Sequence, residues 1–211
     1  MDHDQTYVSP LSTRNASPRM QAVWSPRFRF TTWRKLWLAL AEAERELGLD
    51  ISEKQVAELR AHIEDIDYDA AAEYEKKLRH DVMAHVHALG DVAPTARPII
   101  HLGATSQFVN CNAELIQIRE ALTIVAEKLA VAIDRLAKFA QQYKNVLTLG
   151  FTHFQPLPAD DRGQAGRDLQ RRTFDRALEE VEHRLGSLRF RGQGHDRARR
   201  RPSSPSSAAT P

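Results

Sequence analysis

From Asn112 to Tyr143 the residues Leu115, Ile118, Leu122, Val125, Leu129, Ala132, Leu136, Phe139 and Tyr143 follow one another at alternating spacings of three and four. This is a seam that returns every seven residues for about four heptads, the pattern of a long helix packed in a bundle. At 1.5 Å per residue the seam is roughly 48 Å long. The other helices of a 211-residue chain are too short to cover it, so the pattern predicts partner helices from other subunits. No Val/Ile/Thr-rich alternating stretch competes for a sheet, and the predicted class is all-α. The expected architecture is an N-terminal helical domain followed by the beginning of a long-helix bundle.

The remaining segments fit that frame. Residues 1–30 hold the turn signals "SPLSTRNASPRM" and "WSPRF" and read as an extended arm with short helical pieces. "TTWRKLWLALAEAERELGLD" reads as a helix with Leu36, Leu40, Ala43 and Leu47 on one face and Gly48 at the C′ position. Ser52 and Gln55 form a capping-box pair at the start of the next helix. "AAAEYEKKLRHDVMAHVHALG" reads as one further helix ended by Gly90, with His80 and His87 on one face and His85 on another. A weaker seam recurs at Phe174, Leu178, Val181, Leu185 and Leu188, and the Arg/Ser/Pro/Ala-rich tail reads as disordered. The predicted divisions are 1–111, 112–192 and 193–211.

Composition narrows the class of function. A single cysteine, Cys111, excludes an internal disulfide framework and fits a reducing, cytoplasmic setting. The polar "MDHDQTYVSP" is not a signal peptide, and no apolar run reaches the roughly 18 residues that a membrane span needs. A net charge of +2 argues for no particular partner. The arginines of "RFRGQGHDRARRR" lack interleaved aromatics, so neither nucleic acid nor membrane is an expected partner.

Three polar clusters interrupt the helices. "LRHDVMAHVH" concentrates Arg79, His80 and Asp81, donors beside a carboxylate that suit a phosphate or carboxylate ligand. Its histidines do not have the i, i+4 spacing of a zinc helix, and no metal is expected; a solvated histidine face is the plain alternative. In "HLGATSQFVNCN", Gly103 permits close backbone approach, and Thr105 and Ser106 precede the long helix, where free N–H groups attract anions. Simple capping is the plain alternative there. In "GFTHFQP", His153 stands between Thr152 and Phe154, and a partly desolvated imidazole can act as a general acid near neutral pH. Taken alone, such a loop histidine between aromatics is more often structural.

Taken together, "SPLSTR", "TWRKLWLALAEAE", "RHDVMAHVH", "HLGATS" and "TLGFTHFQP" occur in the order and spacing of the adenylosuccinate lyases, which the chain resembles over about residues 7–157. That family belongs to the fumarase/aspartase superfamily of helical homotetramers. The resemblance implies a cofactor-free β-elimination that splits a C–N bond. Fumarate is released from adenylosuccinate and from a succinylated carboxamide intermediate of purine synthesis. It implies His153 as general acid and His80 as its support toward the nucleotide end. Thr105 and Ser106 would serve the succinyl carboxylates, with Arg79, Asp81 and Thr152 among the substrate-binding residues and Arg14 on the phosphate. Asn15 stands where the family usually has tyrosine. The partners implied are a small purine nucleotide and further copies of the chain.

The family pattern stops abruptly after position 157. Asp160 to Gly166, "DDRGQAG", can be encoded GAC GAC CGT GGG CAA GCG GGC, and dropping the first base yields Thr-Thr-Val-Gly-Lys-Arg, the usual family continuation. Gln193 to Arg197, "QGHDR", shifted likewise, yields Lys-Gly-Thr-Thr-Gly. Between them "LEEVEHRLGSLRFRG" reads in frame. The expectation is a lyase frame interrupted by base insertions or deletions. The serine base of the family falls beyond position 211, so the chain alone is expected to be inactive. The alternative is a non-catalytic helical oligomerisation module or pseudoenzyme.

Overall fold

The computed structural model describes residues 9–148, 151–152, 155–156, 160–161 and 174–187. Its architecture is all-α. Two isolated antiparallel pairings of two residues each are the exception: Leu147–Thr148 with Asp160–Asp161, and Phe151–Thr152 with Gln155–Pro156. The chain divides into two compact units, one from Met1–Thr32 and Ala113–Arg189, the other containing Trp33–Asn112. No helix among the described residues is long and apolar enough to cross a membrane.

In the first unit the arm folds in short steps, each opened by a Ser-Pro pair. Ser9 Oγ accepts from the N–H of Leu11, which begins a π-helical turn, Leu11–Asn15. Ser17 caps α1, Pro18–Val23, and Ser25 Oγ accepts from Phe28 N–H at the start of α2, Pro26–Glu46. Proline at the first helical position has no N–H to leave unsatisfied. Val23 packs with Ala121 and Ile124 of the long helix α6, Ser106–Tyr143, and Met20 packs against this cluster. Buried Gln117 donates from Nε2 to the carbonyl of Val23 at 2.9 Å, which satisfies a free carbonyl at the end of α1.

Helix α6 is 38 residues long, roughly 57 Å at 1.5 Å per residue. It begins at Ser106, ahead of the expected Asn112. In its first-unit part it buries Ala113, Gln117, Ala121 and Ile124, not the heptad seam. The seam stays half-covered, with Ile118 at 36% and Phe139 at 41% exposure. The last described helix, α7, spans Arg176–Ser187. Leu178, Val181 and Leu185 are half-buried there, as the weaker seam requires, and Leu188 lies outside the described residues. So does the tail from Gln193.

The second unit is built around the tryptophans of α2. Trp33, Leu36, Trp37 and Ala41 are its buried face. The expected stripe was Leu36, Leu40, Ala43 and Leu47, but Leu47 is 82% exposed. The two indoles have far more area to bury than the leucines, and they set the rotation of the helix. Gly48 takes the C′ position as expected. At φ 93°, it closes a Schellman motif in which Leu49 N–H donates to Glu44 O and Gly48 N–H to Arg45 O. The capping box of α3, Glu53–Ala61, is complete between Ser52 and Gln55. Buried Arg34 donates to the His62 carbonyl and, at 2.9 Å, to Asp65 Oδ1, which ties α2 to the chain after α3.

The expected single helix over residues 70–90 is two helices. α4 spans Tyr68–Leu78, α5 spans Asp81–Val92, and the two pack against each other. Arg79 turns left-handed at φ 55°, ψ 36° and His80 is extended, so His80 and His87 do not share one helix face. His85 points into the core against Trp33, with ring centroids 5.4 Å apart. Gly90 does not end the helix. It lies inside α5, where an added Cβ would stand 2.8 Å from Cγ of Arg97. The glycine admits the arginine stem.

Candidate functional site

The break at Arg79 places three expected site residues at one helix N-terminus. His80 is the N-cap of α5, its Nδ1 accepting from Met83 N–H at 3.5 Å. Asp81 follows in the first turn, where a carboxylate complements the helix dipole, and its Oδ1 accepts from Val82 N–H at 2.8 Å. Arg79 is exposed just before them.

The loop that leads to α6 meets this cluster. His80 Nε2 lies 3.1 Å from Ser106 Oγ. With Nδ1 accepting from the backbone, a neutral His80 ring carries its proton on Nε2 and donates it to Ser106. The hydroxyl proton of Ser106 is then directed away from His80. Ser106 opens α6, and the carbonyl of the preceding Thr105, itself exposed, accepts from Phe108 N–H at 2.9 Å. Two helix N-termini, those of α5 and α6, are thus joined by one hydrogen bond. Each carries the partial positive charge of a helix N-terminus, so the junction is suited to an anion with more than one carboxylate.

A further histidine, not among the candidates read from the sequence, belongs to the same loop. His101 is left-handed at φ 65°, and its Nδ1 accepts from the indole N–H of Trp37 at 3.0 Å. Burial, and then the charge of nearby His80, lower its pKa. Its signal in the sequence was its place two residues before Gly103 in the loop that leads to Thr105 and Ser106. Gly103, also left-handed at φ 61°, has Oε1 of Glu44 3.7 Å from where its Cβ would be.

The other expected residues belong to the first unit or lie outside the described residues. Arg14 belongs to the first unit, in the π-helical turn of the arm. Its neighbour Asn15 lines an open hollow of about 550 Å³ with Met20 and Trp24. Thr152 pairs through its backbone with Gln155. His153, the expected acid, lies outside the described residues. Among the described residues there is no group of three or more histidine, cysteine or acidic side chains that could hold a metal ion.

No protein-family model matches the chain, but curated proteins do. It is 48% identical over 191 residues to adenylosuccinate lyase from Saccharomyces cerevisiae, covering 85% of this chain and 39% of the yeast enzyme. It is 46% identical over 159 residues to adenylosuccinate lyase from Schizosaccharomyces pombe, covering 74% of this chain and 33% of that one. Among solved structures, 3-carboxy-cis,cis-muconate lactonizing enzyme from Pseudomonas putida matches with a TM-score of 0.74 at 27% identity. That match covers 86% of this chain and 43% of the other. The chain spans well under half the length of the curated relatives it matches. The yeast match covers more of this chain than residues 7–157 contain, so the likeness continues past the interrupted stretch at Asp160.

Proposed function

The chain belongs to the adenylosuccinate lyase family, and from that membership we propose that it carries the succinyl-binding part of a C–N lyase site. The reaction is β-elimination of fumarate from adenylosuccinate and from the related succinylated carboxamide. The observation that carries this reading is the His80–Ser106 hydrogen bond between the N-termini of α5 and α6. A succinyl group presents two carboxylates, and charge grows on one of them as the adjacent proton leaves. Fixed donors aimed at that charge lower the barrier more than they tighten ground-state binding.

In this reading Ser106, with its hydroxyl proton turned from His80, and Thr105 donate to the carboxylates. Arg79 supplies a mobile positive charge at the rim. Asp81 occupies the first turn of α5 and orients the Arg79–His80 break. His80 holds Ser106 and supports the acid. Thr152 and His153 complete the chemical end, with His153 protonating the departing nitrogen. Arg14 takes the phosphate. Asn15 offers an amide where the family usually has tyrosine, which removes an aromatic surface from the nucleotide end. No cofactor enters the reaction, and the setting is cytoplasmic.

We further assign the half-covered seam of α6 to helices of other copies in a homo-oligomer, the arrangement that the family resemblance implies. The same seam favours a second reading, in which the chain is a non-catalytic module that only associates. Ligand binding separates the two. Titration of the ¹⁵N-labelled chain with adenylosuccinate is expected to shift the amides of His80, Thr105 and Ser106 saturably, with succinate competing and AMP alone leaving them in place. An unperturbed Ser106 at saturating adenylosuccinate would overturn the lyase-site reading and leave the associating module.

A further inference from the structure

Helix α2 supplies two polar groups, seven residues apart, to the turn that precedes Ser106. Trp37 is 1% exposed, and its indole N–H reaches His101 Nδ1 at 3.0 Å, the rings meeting edge-on with centroids 6.0 Å apart at 81°. One helical stretch later Glu44 lies against Gly103, its Oε2 buried and without a hydrogen-bond partner among the described residues. Both turn residues above these groups are left-handed. For glycine that costs nothing, but for histidine it is a sparsely populated state that persists only where the surroundings hold it.

A neutral imidazole has one N–H and one lone pair. Trp37 can only donate, so the lone pair must be on Nδ1 and the proton on Nε2. A doubly protonated ring would set N–H against N–H beside a buried indole. The groups that face the ring or its turn are Trp37 and Glu44 from α2 and His80 from the start of α5. Of these, His80 and the burial itself disfavour charge on His101.

We propose that Trp37 is a positioning residue that locks His101 in the Nε2–H tautomer and makes this imidazole a fixed hydrogen-bond donor. While the ring is held so, Nδ1 has no free lone pair and Nε2 is already protonated, so taking up a proton requires the Trp37 hydrogen bond to break. His101 therefore orients or binds within the turn and does not serve as a base. This inference goes beyond the lyase reading, because it holds whichever ligand the turn meets.

The test is the multiple-bond ¹H–¹⁵N spectrum of the histidine-labelled 211-residue chain across a pH series. The unmodified chain is expected to show bare Nδ1 and protonated Nε2 at His101, with a titration midpoint below the ordinary value of about 6.5. Trp37→Phe keeps an aromatic ring and removes only the donor. It is expected to give a mixture of tautomers and an upward-shifted midpoint, changes that a purely packing role for the indole would not produce. A protonated Nδ1 in the unmodified chain, or an unchanged tautomer in Trp37→Phe, overturns the proposal. Should Trp37→Phe not fold, the two-bond nitrogen–nitrogen coupling between the Trp37 indole and His101 Nδ1 decides from the unmodified chain, and its absence overturns the proposal.

Discussion

His80 does two things that a single alanine substitution would confound. Its Nδ1 caps α5, and its Nε2 holds Ser106. Loss of an N-cap costs about 0.5–2 kcal/mol of stability. His80→Ala is therefore expected to lower the urea midpoint and to weaken adenylosuccinate binding together. Asn is among the best N-cap residues, but its side chain is too short to replace an imidazole Nε2. His80→Asn is expected to keep the midpoint within about 0.5 kcal/mol of the parent while binding still weakens. Equal stability losses in the two variants would mean that the cap is not made by the side chain. Undiminished binding in His80→Asn would detach His80 from the site. Both residues of this hydrogen bond were legible as candidates, because each stood in a polar cluster beside a helix. Their meeting was not legible, since it depends on a break that no glycine or proline announces.

That break is the decisive event at the scale of elements. Periodicity carries straight from α4 into α5, and "EKKLRHDVMAHV" contains neither glycine nor proline. The chain nonetheless turns at Arg79, whose left-handed backbone is costly for any residue with a Cβ, by roughly 1–2 kcal/mol. Arg79→Gly removes that cost while making the unfolded chain more flexible. It is expected to leave stability unchanged or to raise it by up to about 1 kcal/mol by urea unfolding. Adenylosuccinate affinity should fall at the same time, because the guanidinium is gone. A clear loss of stability would show that the Arg79 side chain holds the turn. α2 offers a second case. Its stripe was read from leucines, while the face that packs is set by Trp33 and Trp37. Side-chain area outweighs regular spacing when the two disagree, and that is seen only when the neighbours are in place.

At the scale of the whole molecule, α6 has two apolar faces and this chain covers one of them. Ala113, Gln117, Ala121 and Ile124 are buried within the first unit, while Ile118 and Phe139 of the seam remain exposed. Exposed apolar stripes of this extent mark an interface or an aggregation liability. Sedimentation of the purified chain is expected to give an associated species. The double substitution Ile118→Lys and Phe139→Lys should shift it toward monomer with the helical circular dichroism retained. A monodisperse parent monomer would sink the assignment of the seam to an interface. We also retain the division 1–111, 112–192 and 193–211 as a proposal. Separately expressed 1–111 should give a cooperative thermal transition, and a featureless melt would count against the first boundary.

The amino-acid order alone determined the all-α class, the long helix, the capping box at Ser52, the C′ glycine at position 48 and the family. These rest on short-range periodicity, on backbone propensity and on motifs whose chemistry survives without coordinates. Tertiary structure alone decided which face of α2 and of α6 is buried, where α4 stops, why Gly90 must lack a side chain, and that His80 meets Ser106 and Trp37 meets His101. Each of these is set by contacts between residues distant in sequence, where competing burial of unequal side chains and the matching of one donor to one acceptor choose among arrangements that local pattern leaves open.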